Sequence, residues 1–136
     1  MENFKVKAEL EINVTQEDVD DIVTTALEGG INYWCRKAEV VGDYLGEYAS
    51  EQISRGGTLK LYDSEEDKVY ELTRDKLLDG IKKYCEDTER PYDIMCAGAN
   101  SVGCSTGEYG LDCCMVDATV ADMIIQYAVM GEIVYG

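Results

Sequence analysis

The chain contains no histidine, and that absence limits its chemistry more than any residue that is present. Without imidazole there is no Ser–His or Cys–His nucleophile, no histidine general base and no histidine ligand for zinc. Six cysteines and 28 acids are left as candidates. Cys96, Cys104 and Cys113, with Asp112 adding an oxygen, form the candidate metal set, and Zn2+ is the ion that thiolates of this kind would hold. The spacing is poor for that role. Zinc sites favour pairs such as Cys-x-x-Cys, in which one turn presents two sulfurs; here the gaps are seven and eight residues. Cys113 and Cys114 are adjacent, so on a strand they would face opposite ways. Reduced thiols acting as small hydrophobes are the simpler reading, and the one expected for Cys35 and Cys85, which sit in apolar patterns.

Two further motifs fail on inspection. Gly98 and Gly103 have the separation found in a phosphate-binding loop, but Cys104 stands where lysine is needed and no Lys or Arg follows Arg90. Asp112, Asp117 and Asp122 could supply a hydrolytic carboxylate pair, yet in a chain this acidic such pairs arise by chance. The expectation is a protein that is not an enzyme.

What the chain has in abundance is negative charge. Twelve Lys and Arg against 28 Asp and Glu give −16, with a pI near 4.1. Such a surface repels nucleic acid and anionic membrane, so a partner should be a basic protein. The charge is uneven. Residues 1–30 hold eight acids and two bases, residues 31–60 four of each, residues 61–90 ten acids and six bases, and residues 91–136 six acids and no base. The candidate contact residues are Glu17, Asp20, Asp21 and Glu28 in the first acidic stretch, Glu65, Glu66 and Asp67 in the second, and Glu108 in the third. On an α-helix Glu17 and Asp21 lie about 6 Å apart along the axis, on the scale of neighbouring phosphates on one nucleic-acid strand, whose axial rise is about 3.4 Å per nucleotide. A row of that kind fits a groove lined by lysine and arginine and built for DNA. Ten tyrosines accompany the acids, and tyrosine with acids suits a protein interface.

These residues need a frame. Length, 136 residues, and 46% hydrophobic content fit one globular domain spanning 1–136. No apolar run reaches the length of a membrane span. The N-terminus alternates instead of forming the apolar block of a signal peptide, so a cytoplasmic protein is expected. Phe4 to Val14 alternates with period two and predicts a strand. Thr15 with Asp18 predicts a capping box, and Val19, Ile22, Val23, Ala26 and Leu27 a helix stopped by Gly29-Gly30. In residues 31–41 the spacing of Trp34, Ala38 and Val41 suits a helix and the β-branched and aromatic content a strand, the strand being preferred. Tyr44, Leu45, Tyr48, Ala49 and Ile53 read as a helix ending at Gly56-Gly57. Thr58–Tyr62 and Lys68–Leu72 form a predicted hairpin. Thr73 caps a helix with Leu77, Leu78, Ile81, Tyr84 and Cys85 inward. Short strands are expected at Tyr92–Ala97 and Leu111–Val116, then a helix capped by Asp117 and ended by Gly131, and a closing strand at Glu132–Tyr135. The fold class is α+β, a mixed or antiparallel sheet with three to four helices.

The segments EGGINYWC (Glu28 to Cys35), GDYLGEYASEQISRGG (Gly42 to Gly57) and ADMIIQYAVMGEIVYG (Ala121 to Gly136) resemble a family of small acidic proteins carried by phages and mobile elements of Gram-positive bacteria. Size and acidity are also similar to those of anti-CRISPR proteins that inhibit a type II effector nuclease. The resemblance implies an inhibitor acting in the host cytoplasm. It would cover the nuclease's basic nucleic-acid surface and block loading of target DNA, as a DNA mimic, and it brings no functional residues of its own. Two alternatives stand beside it: a small structural or regulatory zinc protein, and a protein that sequesters a small signalling ligand, for which Arg36, Lys37, Arg55 and Arg74 are the plausible anion contacts.

Overall fold

A computed structural model describes residues 3–4, 11–97 and 109–136. The element order is β1 (Ile12–Asn13), α1 (Gln16–Thr25), β2 (Cys35–Val40), β3 (Leu59–Asp63), β4 (Val69–Leu72), α2 (Arg74–Glu86), β5 (Met95–Ala97), β6 (Tyr109–Leu111) and α3 (Ala118–Met130). The strands make two sheets. In one, β2, β3 and β4 form an antiparallel meander; in the other, β6 lies between β1, which it meets parallel, and β5, which it meets antiparallel. With three α-helices among the described residues the domain is α+β.

Local chemistry sets most of the boundaries. Thr15 accepts from the Asp18 amide while the Asp18 carboxylate accepts from the Thr15 amide, a complete capping box at the start of α1. Thr73 and Asp117 cap α2 and α3 in the same way through the amides of Lys76 and Val120. Gly131 ends α3 in the left-handed region, at φ 80°, where a side chain would be strained. The hairpin β3–β4 turns at residues 64–68 as its sequence requires.

Val19, Ile22 and Val23 of α1, Leu77, Ile81 and Tyr84 of α2, Val120, Ile124 and Ile125 of α3, and Leu59, Leu61 and Leu72 of the hairpin share one core with Trp34, Ile53 and Ile94. The helix pair α2–α3 is packed very closely at Gly80. A Cβ there would lie 2.5 Å from the Ile124 carbonyl oxygen and 2.9 Å from the Ala128 Cβ, and backbone cannot move aside cheaply. Gly80→Ala is therefore expected to destabilise the protein by about 1–3 kcal/mol, the usual cost of overpacking, although alanine is the better helix former. Urea unfolding measures it, and a stabilised variant would show that the helices do not meet there.

The structure departs from the sequence expectations in several places. Of the predicted first strand, residues 5–10 lie outside the described residues; in the described part Ile12–Asn13 pair with β6. α1 does not run to Gly29 as an α-helix: residues Ala26–Gly30 widen into a π-turn closed by the Ile31 amide on the Ala26 carbonyl. Gly30 there abuts the Ala118 carbonyl, where a Cβ would sit at 2.8 Å. Residues 31–34 form a turn, and the strand begins at Cys35. The predicted helix over 44–53 is a bent segment with one 3-10 turn, Ala49–Glu51. Buried Gln52 replaces helical hydrogen bonds by accepting from the Leu45 amide and donating to the Asp43 carbonyl. Leu78, expected inward, is 39% exposed. The strand expected over 111–116 stops at Leu111, because the Asp112 carboxylate accepts from the Cys114 amide and its carbonyl from the Met115 amide, which turns the chain. Residues 132–136 are not a strand; the amides of Val134 and Tyr135 bond to a side chain, Gln126.

Candidate functional site

The candidate contact acids occupy two described places. On α1, Glu17 and Asp21 are exposed and four residues apart on α-helical backbone, as the row of charges requires. Asp20 is half-buried and accepts from the Ser54 hydroxyl at 2.5 Å, which ties α1 to the 49–57 segment. Glu28 is exposed on the π-turn. The wider turn shifts it off the α-helical row to which Glu17 and Asp21 belong. In the hairpin turn Glu65, Glu66 and Asp67 are all exposed, with Glu66 paired to Lys68 at 2.8 Å. Glu108 lies outside the described residues.

Between these acidic stretches in sequence, the bent 41–48 segment exposes Val41, Tyr44, Leu45 and Tyr48 beside Asp43 and Glu47. Tyr44 and Tyr48 are 61% and 62% exposed, more than tyrosines bracing a core edge would be. Because Gln52 pins this segment and packs against Gly57, where a Cβ would lie 2.6 Å from its amide nitrogen, the tyrosines are carried on a fixed loop.

Not every acid belongs to the surface. Asp63 and Asp122 are buried, 3% and 7% exposed, with no cation paired to either among the described residues. Neutral donors hold them instead. Asp122 accepts from Tyr33 Oη at 2.5 Å, Trp34 Nε1 at 2.7 Å and Gln126 Nε2 at 2.9 Å. Asp63 accepts from the amides of Glu65 and Glu66 and the hydroxyls of Tyr135, at 2.8 Å, and Tyr70. Trp34 joins the two centres. Its ring stacks on Tyr135 at 5.9 Å and meets Tyr70 edge-on at 6.2 Å, while its carbonyl accepts from the Ser64 amide and hydroxyl. Gln126 completes the frame by donating to the Tyr135 carbonyl and accepting from the amides of Val134 and Tyr135. Sequence reasoning missed this frame. Tyr33, Trp34, Asp122, Gln126 and Tyr135 fall in two sequence segments, 28–35 and 121–136, which therefore meet in space as one structural unit.

The frame, together with the Tyr127–Asp87 hydrogen bond, makes stability depend on pH at both ends. Burial alone would raise the Asp63 pKa, but the amides of Glu65 and Glu66 and the hydroxyls of Tyr135 and Tyr70 outweigh it and hold it below the usual value. The Tyr127 hydroxyl holds Asp87 down likewise. Groups depressed on folding contribute fully above the ordinary aspartate pKa of about 3.9 and lose that contribution as pH falls through the folded value. The tyrosines act in the opposite sense. Burial and then Asp122 push Tyr33 up to about 12, and the Asp87 carboxylate pushes Tyr127 to about 12. Their contribution is complete below about pH 10, the ordinary tyrosine value, and is lost as pH rises through the folded pKa. Thermal unfolding midpoints should therefore form a plateau from about pH 4 to about pH 10, and Asp63→Asn should flatten the acid side of it. An unchanged acid limb in that variant would remove Asp63 from the account.

The remaining chemical candidates are placed as follows. Asp112 makes its turn, Asp117 caps its helix and Asp122 is buried in the frame, so each of the three carboxylates has a structural partner. Cys104 lies outside the described residues, as does the glycine-rich stretch 98–108 around it, and of the side chains of Cys96 and Cys113 nothing is described. The β5–β6 pairing sets Cys96 opposite Gly110, two residues before Asp112. Among the described residues no cluster of three or more ligating side chains occurs. Cys35 is buried and Cys85 half-buried; burial raises both thiols, Cys85 to about 11, so both are poor nucleophiles at neutral pH. No helix among the described residues is long and apolar enough to cross a membrane. No protein-family model matches the chain, and no curated protein or solved structure matches it.

Proposed function

We propose that the protein is a phage-encoded inhibitor, not an enzyme, that lays its acidic surface against the basic nucleic-acid channel of a host defence nuclease, a type II CRISPR effector, and blocks loading of target DNA in the host cytoplasm. The observation that carries this reading is the division of labour among the acids. Asp63 and Asp122 are buried and partnered, while Glu17, Asp21, Glu28, Glu65 and Asp67 stand in solvent, where they add like-charge repulsion. Excess charge of that kind steers association with a partner of opposite sign. The exposed tyrosines of the 41–48 loop supply the apolar anchors that charge alone lacks. Capture from host lysate at low salt is expected to recover a basic nuclease and to fail as salt rises, because attraction between exposed charges is screened within about 10 Å at 0.1 M. Recovery of no basic nucleic-acid-binding protein at low salt would count against the reading.

A further inference from the structure

A pocket of about 330 Å³ opens between the π-turn, β2 and the 49–51 turn, lined by Leu27, Ile31, Asn32, Arg36, Ala38 and Ala49 together with Cys35 and Lys37. Its volume is at the lower end of small-ligand pockets, roughly 300–1,000 Å³. Its charge runs against that of the whole molecule. The cause is a bulge in β2: Cys35 pairs with Asp63 and Lys37 with Tyr62, leaving Arg36 without a partner across the ladder. On a regular strand consecutive side chains point to opposite faces. Here both cations lie over the Tyr62 ring, Arg36 at 5.2 Å and Lys37 at 5.5 Å, which is the re-aiming that bulges provide. Lys37 is paired with Glu39 at 3.0 Å. Among the described residues the Arg36 guanidinium has no ion pair and the Asn32 side chain no hydrogen-bond partner, and both residues line the pocket. The Cys35 thiol already donates to the Lys37 carbonyl at 3.3 Å, so that wall is neutral.

We propose that this pocket binds a small aliphatic carboxylate, its head on Arg36 and Asn32 and its chain against Leu27, Ile31, Ala38 and Ala49. A single charge is the right one, since each further negative charge on a ligand would meet the field of a protein carrying −16. Binding of the carboxylate does not require the nuclease partner. Amide chemical shifts of the full chain, titrated with hexanoate, provide the test, with hexanol, hexylammonium and inorganic phosphate as comparison probes. Saturable shifts at Asn32, Ala38 and Ala49 are expected with hexanoate and with none of the other three. Arg36→Glu, an exposed substitution whose fold circular dichroism can verify, should weaken hexanoate by roughly tenfold or more, the loss of one charge-assisted contact. Ala49→Leu, which fills the floor, should weaken it also. Absence of saturation, equal shifts from hexanol, hexylammonium or phosphate, or unchanged affinity in Arg36→Glu would overturn the proposal.

Discussion

Asp122→Ala is expected to be the most damaging single substitution, costing about 3–5 kcal/mol, a large part of the stability of a domain this size. The carboxylate takes a hydrogen bond from the Trp34 indole, which is wholly buried, and from the equally buried Gln126 amide. Alanine leaves both donors without an acceptor and without water, and each orphaned group costs about 1–3 kcal/mol. Tyr33, 51% exposed, can turn to solvent once the carboxylate is gone, so its hydroxyl is not left orphaned. The damage should spread, because Gln126 also holds the Val134 and Tyr135 amides, and Tyr135 bonds to Asp63 and stacks on Trp34. Asp122→Asn separates charge from shape. Both buried donors bond the same oxygen, Oδ1, which asparagine retains, so this variant should lose much less. Urea unfolding with near-ultraviolet circular dichroism of the single tryptophan reads both. A cost for Asp122→Ala no larger than that for Asp122→Asn would mean that the frame does not brace the fold.

The second large effect is on binding. Reversal of Glu17 and Asp21 to lysine, or of Glu65 and Asp67, is expected to weaken capture of the basic partner by about tenfold per pair, mainly through slower association. All four are exposed and, among the described residues, no side chain of the four carries a hydrogen bond or ion pair, so reversing Glu65 and Asp67 should hardly move the unfolding midpoint. Glu17, by contrast, stands in the first turn of α1, where losing its favourable interaction with the helix dipole should cost about 0.3–1 kcal/mol. Glu66 and Asp20 are poorer choices, since one is paired with Lys68 and the other accepts from Ser54. Equal affinity of both reversed variants and the parent would detach the acids from recognition.

Features governed by local chemistry were legible in the sequence. Thr15, Thr73 and Asp117 cap the helices they were expected to cap, Gly131 ends the last one, and the 58–72 hairpin forms as its alternation predicts. Where side chains substitute for backbone partners, the pattern misled. Gln52 holds a bent loop whose apolar spacing imitates a helix, and Gln126 holds a tail whose β-branched residues imitate a strand. The buried acids left a trace that reading for surface charge passes over. Asp63 falls in phase with Leu59 and Leu61 on β3, and Asp122 and Gln126 stand one turn apart in an otherwise apolar helix. What no local pattern encodes is the meeting of these residues at Trp34, which depends on contacts across 88 and 72 positions of chain. The β2 bulge is likewise set by pairing with β3 and has no signature in residues 35–37 alone.

Competition for target DNA tests the central claim most directly. A guide-loaded type II effector nuclease is mixed with labelled target duplex and increasing amounts of the protein, at low and at high salt, and bound DNA is read by fluorescence anisotropy. The account predicts displacement of DNA at low salt, a steep loss of inhibition as salt rises, and a weaker effect from the variant with Glu17 and Asp21 reversed. DNA that stays bound at low salt in the presence of a large excess of folded protein would contradict it.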